Sequence, residues 1–273
     1  MTALPPGPLL PGAVSIVVGG STGIGLAAAW ALAKHGSAVE LAANDEAGVT
    51  SAVSELRAEG YDANGTVLDV GRPEQVESFV AGVDARHGRL TVLVNSAGVQ
   101  RYGTAETTPV SVWDEVLNVN VRAMFLAAKH SVPLIRRSGG GAIVNVASAQ
   151  ATASQANVVA YTASKGAIVA LTRAMAIDHA PDGIRVNSVS PGSVDTPMLR
   201  QAARDISADD PDGVIARWGA QHPIGRVGTP AEIADVIVFL ASPMSAFVTG
   251  ADLRADGGVL AGVALPAPTT TDT

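Results

Sequence analysis

A chain of 273 residues, 47% of them apolar and 16% charged, has ample material for a buried core and is not of disordered composition. Its net charge of −7, with no cluster of Lys or Arg, argues against a nucleic-acid partner, and its lack of cysteine excludes disulfides, thiolate metal ligands and cysteine nucleophiles. No apolar run approaches the ~20 residues of a membrane span, and the proline-bearing start at residues 1–12 lacks the parts of a secretory signal. A cytoplasmic protein is expected.

The first element is the buried-type strand Val14–Val18, closed by Gly19-Gly20. A helical pattern follows from Gly25 to His35, then a strand over Ala38–Ala43 and a polar helix from Glu46 to Glu59. Tyr61–Leu68 reads as the third strand. Pro73 opens another helix at a favoured first position, and Thr91–Val94 is the fourth strand. A long helical stretch runs from Trp113 to Arg137, before a fifth strand that ends at Ala147. The helix bearing Tyr161 extends to about His179, Ile184–Ser190 forms the sixth strand, and a further helix starts near Ala231. Strands alternating with helices, and apolar on both faces, imply a parallel sheet covered on both sides. One α/β domain over residues 13–260 is expected, with flexible ends at 1–12 and 261–273. Residues 197–222 break the rhythm and read as a lid over the ligand crevice.

Two constellations carry chemistry. Gly19-Gly20-Ser21-Thr22-Gly23-Ile24-Gly25 joins the first strand to the first helix, where glycines admit a diphosphate to a helix N-terminus. Its spacing, Gly-x-x-x-Gly-x-Gly, differs from the common dinucleotide fingerprint. The second strand closes with Ala42-Ala43-Asn44-Asp45. Carboxylates at Asp45 and Glu46 would repel the 2′-phosphate of NADP, which favours NAD and leaves NADP open; Asp45 serves more simply as a helix cap. The other constellation is Ser148, Tyr161 and Lys165. Tyr161 and Lys165 are four residues apart, so a helix stacks them on one face, and Ser148 follows a strand. A phenol, an ammonium and a hydroxyl meeting there can manage a proton on a substrate oxygen. The five histidines are scattered, with no metal-ligand spacing.

Together these motifs resemble the short-chain dehydrogenase/reductases over Val14 to about Gly258. The resemblance includes Asp69, Asn95-Ser96-Ala97-Gly98, Asn120, Pro191-Gly192, Thr196, Gly225-Arg226 with Glu232, and Asp256-Gly257-Gly258. It implies a Rossmann-type, mostly seven-stranded parallel sheet and a homotetramer. It implies a catalytic set of Asn120, Ser148, Tyr161 and Lys165, with Asn120 positioning a water that links Lys165 to solvent. The cofactor would be held by Gly19, Ser21, Thr22, Gly23, Ile24, Gly25, Asn44, Asp69, Val70, Asn95, Ala97, Gly98, Tyr161, Lys165, Pro191, Gly192, Val194 and Thr196. Val18 and Ser96 depart from the family, which usually has Thr and a second Asn there. Ala43 and Asn44 leave the cofactor preference unread.

Lys165 is expected to lower the pKa of Tyr161, from near ~10 toward the working pH, and Ser148 to hold the reacting oxygen. Substrate contacts are expected from Ser148, Gln150, Asn157, Tyr161 and His222, with Gln100, Arg101 and Gln155 nearby. So polar a pocket suits a sugar or polyol, and weaker likenesses within the family point to sugar dehydrogenases. The alternatives are a reductase or dehydrogenase of 3-oxoacyl thioesters or hydroxysteroids, and a non-catalytic nucleotide-binding protein.

Overall fold

The computed structural model describes residues 7–262. The expected flexible segments lie partly outside them. Within the described part of the first segment, Leu10 is buried and donates its N–H to the His35 carbonyl at 2.9 Å, so the chain is pinned before residue 13.

Strand β1 (Val14–Val18) is built almost wholly of β-branched residues and is buried throughout. Helix α1 (Gly23–Lys34) begins two residues earlier than its apolar pattern indicates. Its small residues Ala28 and Ala29 have no exposed surface, so it packs closely against helix α9 (Pro230–Ala241). A capping box between Thr229 and Glu232, with Pro230 in the first turn, starts α9. The other strands are β2 (Ala38–Ala43), β3 (Ala63–Val67), β4 (Val92–Asn95), β5 (Gly141–Val146), β6 (Ile184–Pro191) and β7 (Asp252–Ala255). All pair in parallel, in the order β3-β2-β1-β4-β5-β6-β7. The order reverses between β1 and β4, which opens a crevice at their carboxyl ends.

Helix α2 (Glu46–Ala58) lies with α1 and α9 on one face of the sheet; α3 (Pro73–His87), α5 (Ala123–Arg137) and α6 (Val159–His179) cover the other. The long helical stretch expected from Trp113 is two helices, α4 (Val110–Leu117) and α5, joined without a break by one wide π-turn at Asn118–Arg122. The segment after β6 is a helical pair, α7 (Pro197–Ile206) and α8 (Pro211–Ala220).

An amide chain crosses the middle of the sheet. Asn95 Nδ2 donates to Asn145 Oδ1 at 2.8 Å, and Asn145 Nδ2 donates to the Thr172 hydroxyl on α6 at 2.9 Å. Asn95 Oδ1 is buried and has no donor among the described residues. Its registered neighbour on β1 is Val18, whose side chain shares its sheet face. Val18→Thr supplies a hydroxyl there and is expected to raise stability by about 1 kcal/mol in urea unfolding. An unchanged or lower midpoint would show that the hydroxyl does not reach Asn95.

Candidate active site

The glycine turn lies where the sheet order reverses. Gly19 and Gly20 donate their N–H groups to the Ala42 carbonyl at 2.7 and 3.3 Å. A Cβ at Gly25 would overlap the Gly19 carbonyl oxygen, so only glycine lets α1 start this close to the turn. Thr22 occupies the N-cap of α1 but makes no capping bond through its side chain, leaving the first amides of α1 for another acceptor. Ser21 and Ile24 are half-buried beside them. This cradle fits the diphosphate of a dinucleotide. Across it, the Thr196 methyl lies 3.3 Å from where a Gly23 Cβ would sit.

The remaining expected cofactor residues ring the same edge. Asn44 is exposed at the end of β2, in a surface hollow with Asp45, Glu46, Thr50 and Glu55. Asp45 is the N-cap residue of α2, but its carboxylate makes no capping hydrogen bond. The Asp69 carboxylate accepts the Gly71 N–H at 2.8 Å, and half-buried Val70 follows it. Ala97 and Gly98 follow β4, with Gly98 against Asn120 and Lys165. Pro191 ends β6, Val194 bridges to Gly228, and Thr196 caps α7 by accepting the Leu199 N–H at 3.2 Å.

Asn120, Ser148, Tyr161 and Lys165 come together at the carboxyl edge of β4 and β5. Lys165 is 5% exposed; its Nζ donates to the Val146 carbonyl at 3.0 Å and lies 5.3 Å from the centre of the Tyr161 ring. The Ser148 hydroxyl faces the Tyr161 phenol and also accepts the Gln150 N–H at 3.1 Å. Asn120 sits in the π-turn, fully buried. Its Oδ1 accepts the Val99 N–H at 2.8 Å, and its Nδ2 donates to the Val99 carbonyl at 2.9 Å and to the Ser164 hydroxyl at 3.0 Å. The Asn120 side chain thus clamps the loop after β4 onto the helix that carries Tyr161.

Burial decides the electrostatics. It pushes the Tyr161 phenol above its ordinary range; the facing Ser148 hydroxyl pulls the other way, and the Tyr102 phenol adds to the rise. Burial also lowers Lys165 to about 8. Lys165 is expected to lower the Tyr161 pKa; in this site burial dominates and leaves the phenol above its ordinary range.

On the substrate side the expected residues separate. Gln150 is held by other side chains: its Nε2 donates to Gln155 and its Oε1 accepts from Thr162, each at 3.3 Å. Asn157 is exposed with a left-handed φ of 61°, and its carbonyl accepts the Gly103 N–H at 2.7 Å. Arg101 pairs with Glu115 on α4. His222 is 5% exposed, and both ring nitrogens are bonded to main-chain groups, which leaves neither nitrogen free for a substrate. Two residues outside the expected set bear on this side of the site. Tyr102 is close enough to raise the Tyr161 pKa, and the Asp205 carboxylate on α7 acts likewise on Tyr102. Tyr102 follows Gly98-Val99-Gln100-Arg101 directly, and that was the available signal. Nothing local in the sequence marks Asp205.

A model described as enoyl-(acyl carrier protein) reductase matches residues 18–260. A 2-(S)-hydroxypropyl-CoM dehydrogenase of Xanthobacter autotrophicus is 38% identical over 248 residues, covering 91% of this chain and 96% of that protein. A cis-4-hydroxycyclohexanecarboxylate dehydrogenase of Sinomonas cyclohexanicum is 37% identical over 249 residues, covering 91% and 96%. The ligand-free aldohexose dehydrogenase of Thermoplasma acidophilum superposes with a TM-score of 0.88 at 34% identity, covering 95% of this chain and 98% of that one. With the buried Tyr161–Lys165 pair at the end of a seven-stranded parallel sheet, these likenesses establish that the chain belongs to the short-chain dehydrogenase/reductase family.

Proposed function

We propose that this oxidoreductase, which acts on alcohol or carbonyl groups, oxidises a sugar or polyol with NAD. The observation that carries the reading is Tyr102, whose phenol acts on Tyr161 and is itself acted on by the Asp205 carboxylate of α7. A phenol and a carboxylate offer a donor and several acceptors to the hydroxyls flanking the reacting carbon. The Thermoplasma aldohexose dehydrogenase supports the same substrate class. Helices α7 and α8 form the lid, with Asp205 near the end of α7. The carboxylates of Asp45 and Glu46 just after β2, with Glu55 of α2 lining the same hollow, favour NAD over a 2′-phosphorylated cofactor. A cytoplasmic location fits a chain without cysteines. A homotetramer fits the exposed apolar side chains Phe125 and Ile177 on α5 and α6 and Phe247 before β7.

Family members work with a nicotinamide dinucleotide, which when bound supplies or accepts the hydride. The chain's own groups handle the proton. In oxidation, Tyr161 Oη takes the proton of the substrate hydroxyl while the Ser148 hydroxyl holds that oxygen in reach. Lys165, anchored on the Val146 carbonyl, favours the phenolate by its charge, and the positive ring of the oxidised cofactor adds to it. Both charges offset the burial that otherwise keeps the phenol protonated.

A second reading, a reductase of acyl thioesters, is favoured by the exposed Met198 and Ile206 of the lid. A panel of aldoses, polyols, 3-oxoacyl thioesters and hydroxysteroids, run with NAD and NADP, separates the two. Sugar or polyol turnover with NAD is expected, and failure of every sugar and polyol would overturn the assignment. Tyr161→Phe is expected to lower turnover by roughly 10³-fold with NADH affinity kept, as read by fluorescence titration; near-normal turnover would refute the proton role. Light scattering should return the mass of four chains.

Lys165 ties stability to pH. Below about pH 8 the buried ammonium is charged, and its desolvation lowers stability in full. Between about 8 and the ordinary lysine value of 10.5 the unfolded chain holds the proton and the folded chain does not, so stability rises with pH. Lys165→Met is expected to abolish turnover yet raise the melting midpoint at pH 7 by roughly 3 °C, the gain shrinking toward pH 10. Scanning calorimetry at both pH values checks this.

A further inference from the structure

We infer that His222 is a positioning residue that fixes the cofactor-facing segment Pro191–Thr196 and ties it to the lid. The inference rests on the proposed reading of that segment as the nicotinamide side of the site.

The imidazole bridges two stretches of chain. Nδ1 lies 2.9 Å from the Trp218 carbonyl in α8, and Nε2 lies 3.1 Å from the Ser193 amide nitrogen. A carbonyl can only accept and an amide N–H can only donate. The ring therefore carries its proton on Nδ1 and presents a bare Nε2 to Ser193. With 5% exposure it has no room to turn toward another partner.

The ring is one side of a clamp. A Cβ at Gly192 would lie 2.7 Å from His222 Nε2 and 2.9 Å from the Asp256 carbonyl oxygen, so the chain passes here only as glycine. Behind it, the Asp256 carboxylate accepts the Gly258 and Leu260 N–H groups at 3.0 and 3.2 Å, which stiffens that wall. Gly192 donates to the Ala255 carbonyl at 3.2 Å. Gly228 holds the next residues, donating to Ser193 at 2.8 Å and accepting from Asp195 at 2.9 Å. Main-chain bonds thus fix the segment on two sides, and two side chains reach it from the lid: His222 just after α8, at Ser193, and Arg200 of α7, at the Asp195 carboxylate at 2.7 Å. A shift of α8 is passed through the imidazole to the Ser193 N–H, and on toward Thr196 at the glycine turn.

The test compares His222→Leu, which removes the acceptor, with His222→Gln, whose side-chain oxygen can replace Nε2. NADH fluorescence titration without substrate gives the affinity, and steady-state kinetics give KM for NAD and kcat. The leucine variant is expected to bind NADH about tenfold more weakly, with KM for NAD raised alike and kcat within about twofold of wild type. The glutamine variant should recover to within about twofold. Should the leucine variant fail to fold, His222→Asn, too short to reach Ser193, takes its place with the same expected loss. Wild-type NADH affinity in the leucine variant, or equal losses in the leucine and glutamine variants, would overturn the positioning role alone. Absence of NADH and NADPH binding in the wild type would overturn the cofactor reading with it.

Discussion

The site depends on keeping an amine and a phenol out of water. Lys165 and Tyr161 stack on one face of α6 because they are one turn apart. They are buried because the ends of β4 and β5 and the loop after β4 close over them. Burial alone works against catalysis, since it discourages both the ammonium and the phenolate. The fold holds two reluctant ions side by side, and the phenolate is favoured only when positive charge stands beside it. That arrangement costs stability and is kept for function.

Holding such a pair in place requires a polar scaffold inside the sheet. The amide chain Asn95–Asn145–Thr172 links β4 and β5 to α6. The Asn120–Ser164 contact joins the same helix to the π-turn, while Asn120 grips both main-chain groups of Val99. These bonds are directional and buried, so they fix the relative placement of strand, loop and helix more tightly than apolar packing alone. Asn120 thus serves as a strut, and its side chain has both amide hydrogens committed.

Much of the architecture was legible in the sequence because buried parallel strands are uniformly apolar. β1, β2, β5 and β6 fall within a residue or two of their expected limits. β3 is shorter than expected: it lies at the edge of the sheet, so only Ala63 is buried and the apolar signal fades. Tyr161 and Lys165 were readable because one helical turn sets their distance. The substrate side was not, because its members come from separate loops. A polar side chain such as Gln150 or His222 can be spent on its own backbone or on neighbours, and sequence does not record which. The influence of Asp205 on Tyr102 spans more than a hundred positions and arises only from the fold.

The wide turn at Asn118–Arg122 has a further consequence for how this segment can vary. It takes in one residue more than a regular helical turn, so α4 and α5 share one path but are rotated out of phase by roughly 100°. Each helix can then present its own apolar stripe, α4 toward α6 and α5 toward the sheet. Removing a single residue here would tighten the turn to a regular one and swing either Asn120 or the whole inner face of α5 away from its partners. The length of this stretch is therefore under a stricter constraint than most of its individual side chains, and insertions or deletions should be tolerated least where the helix looks most continuous.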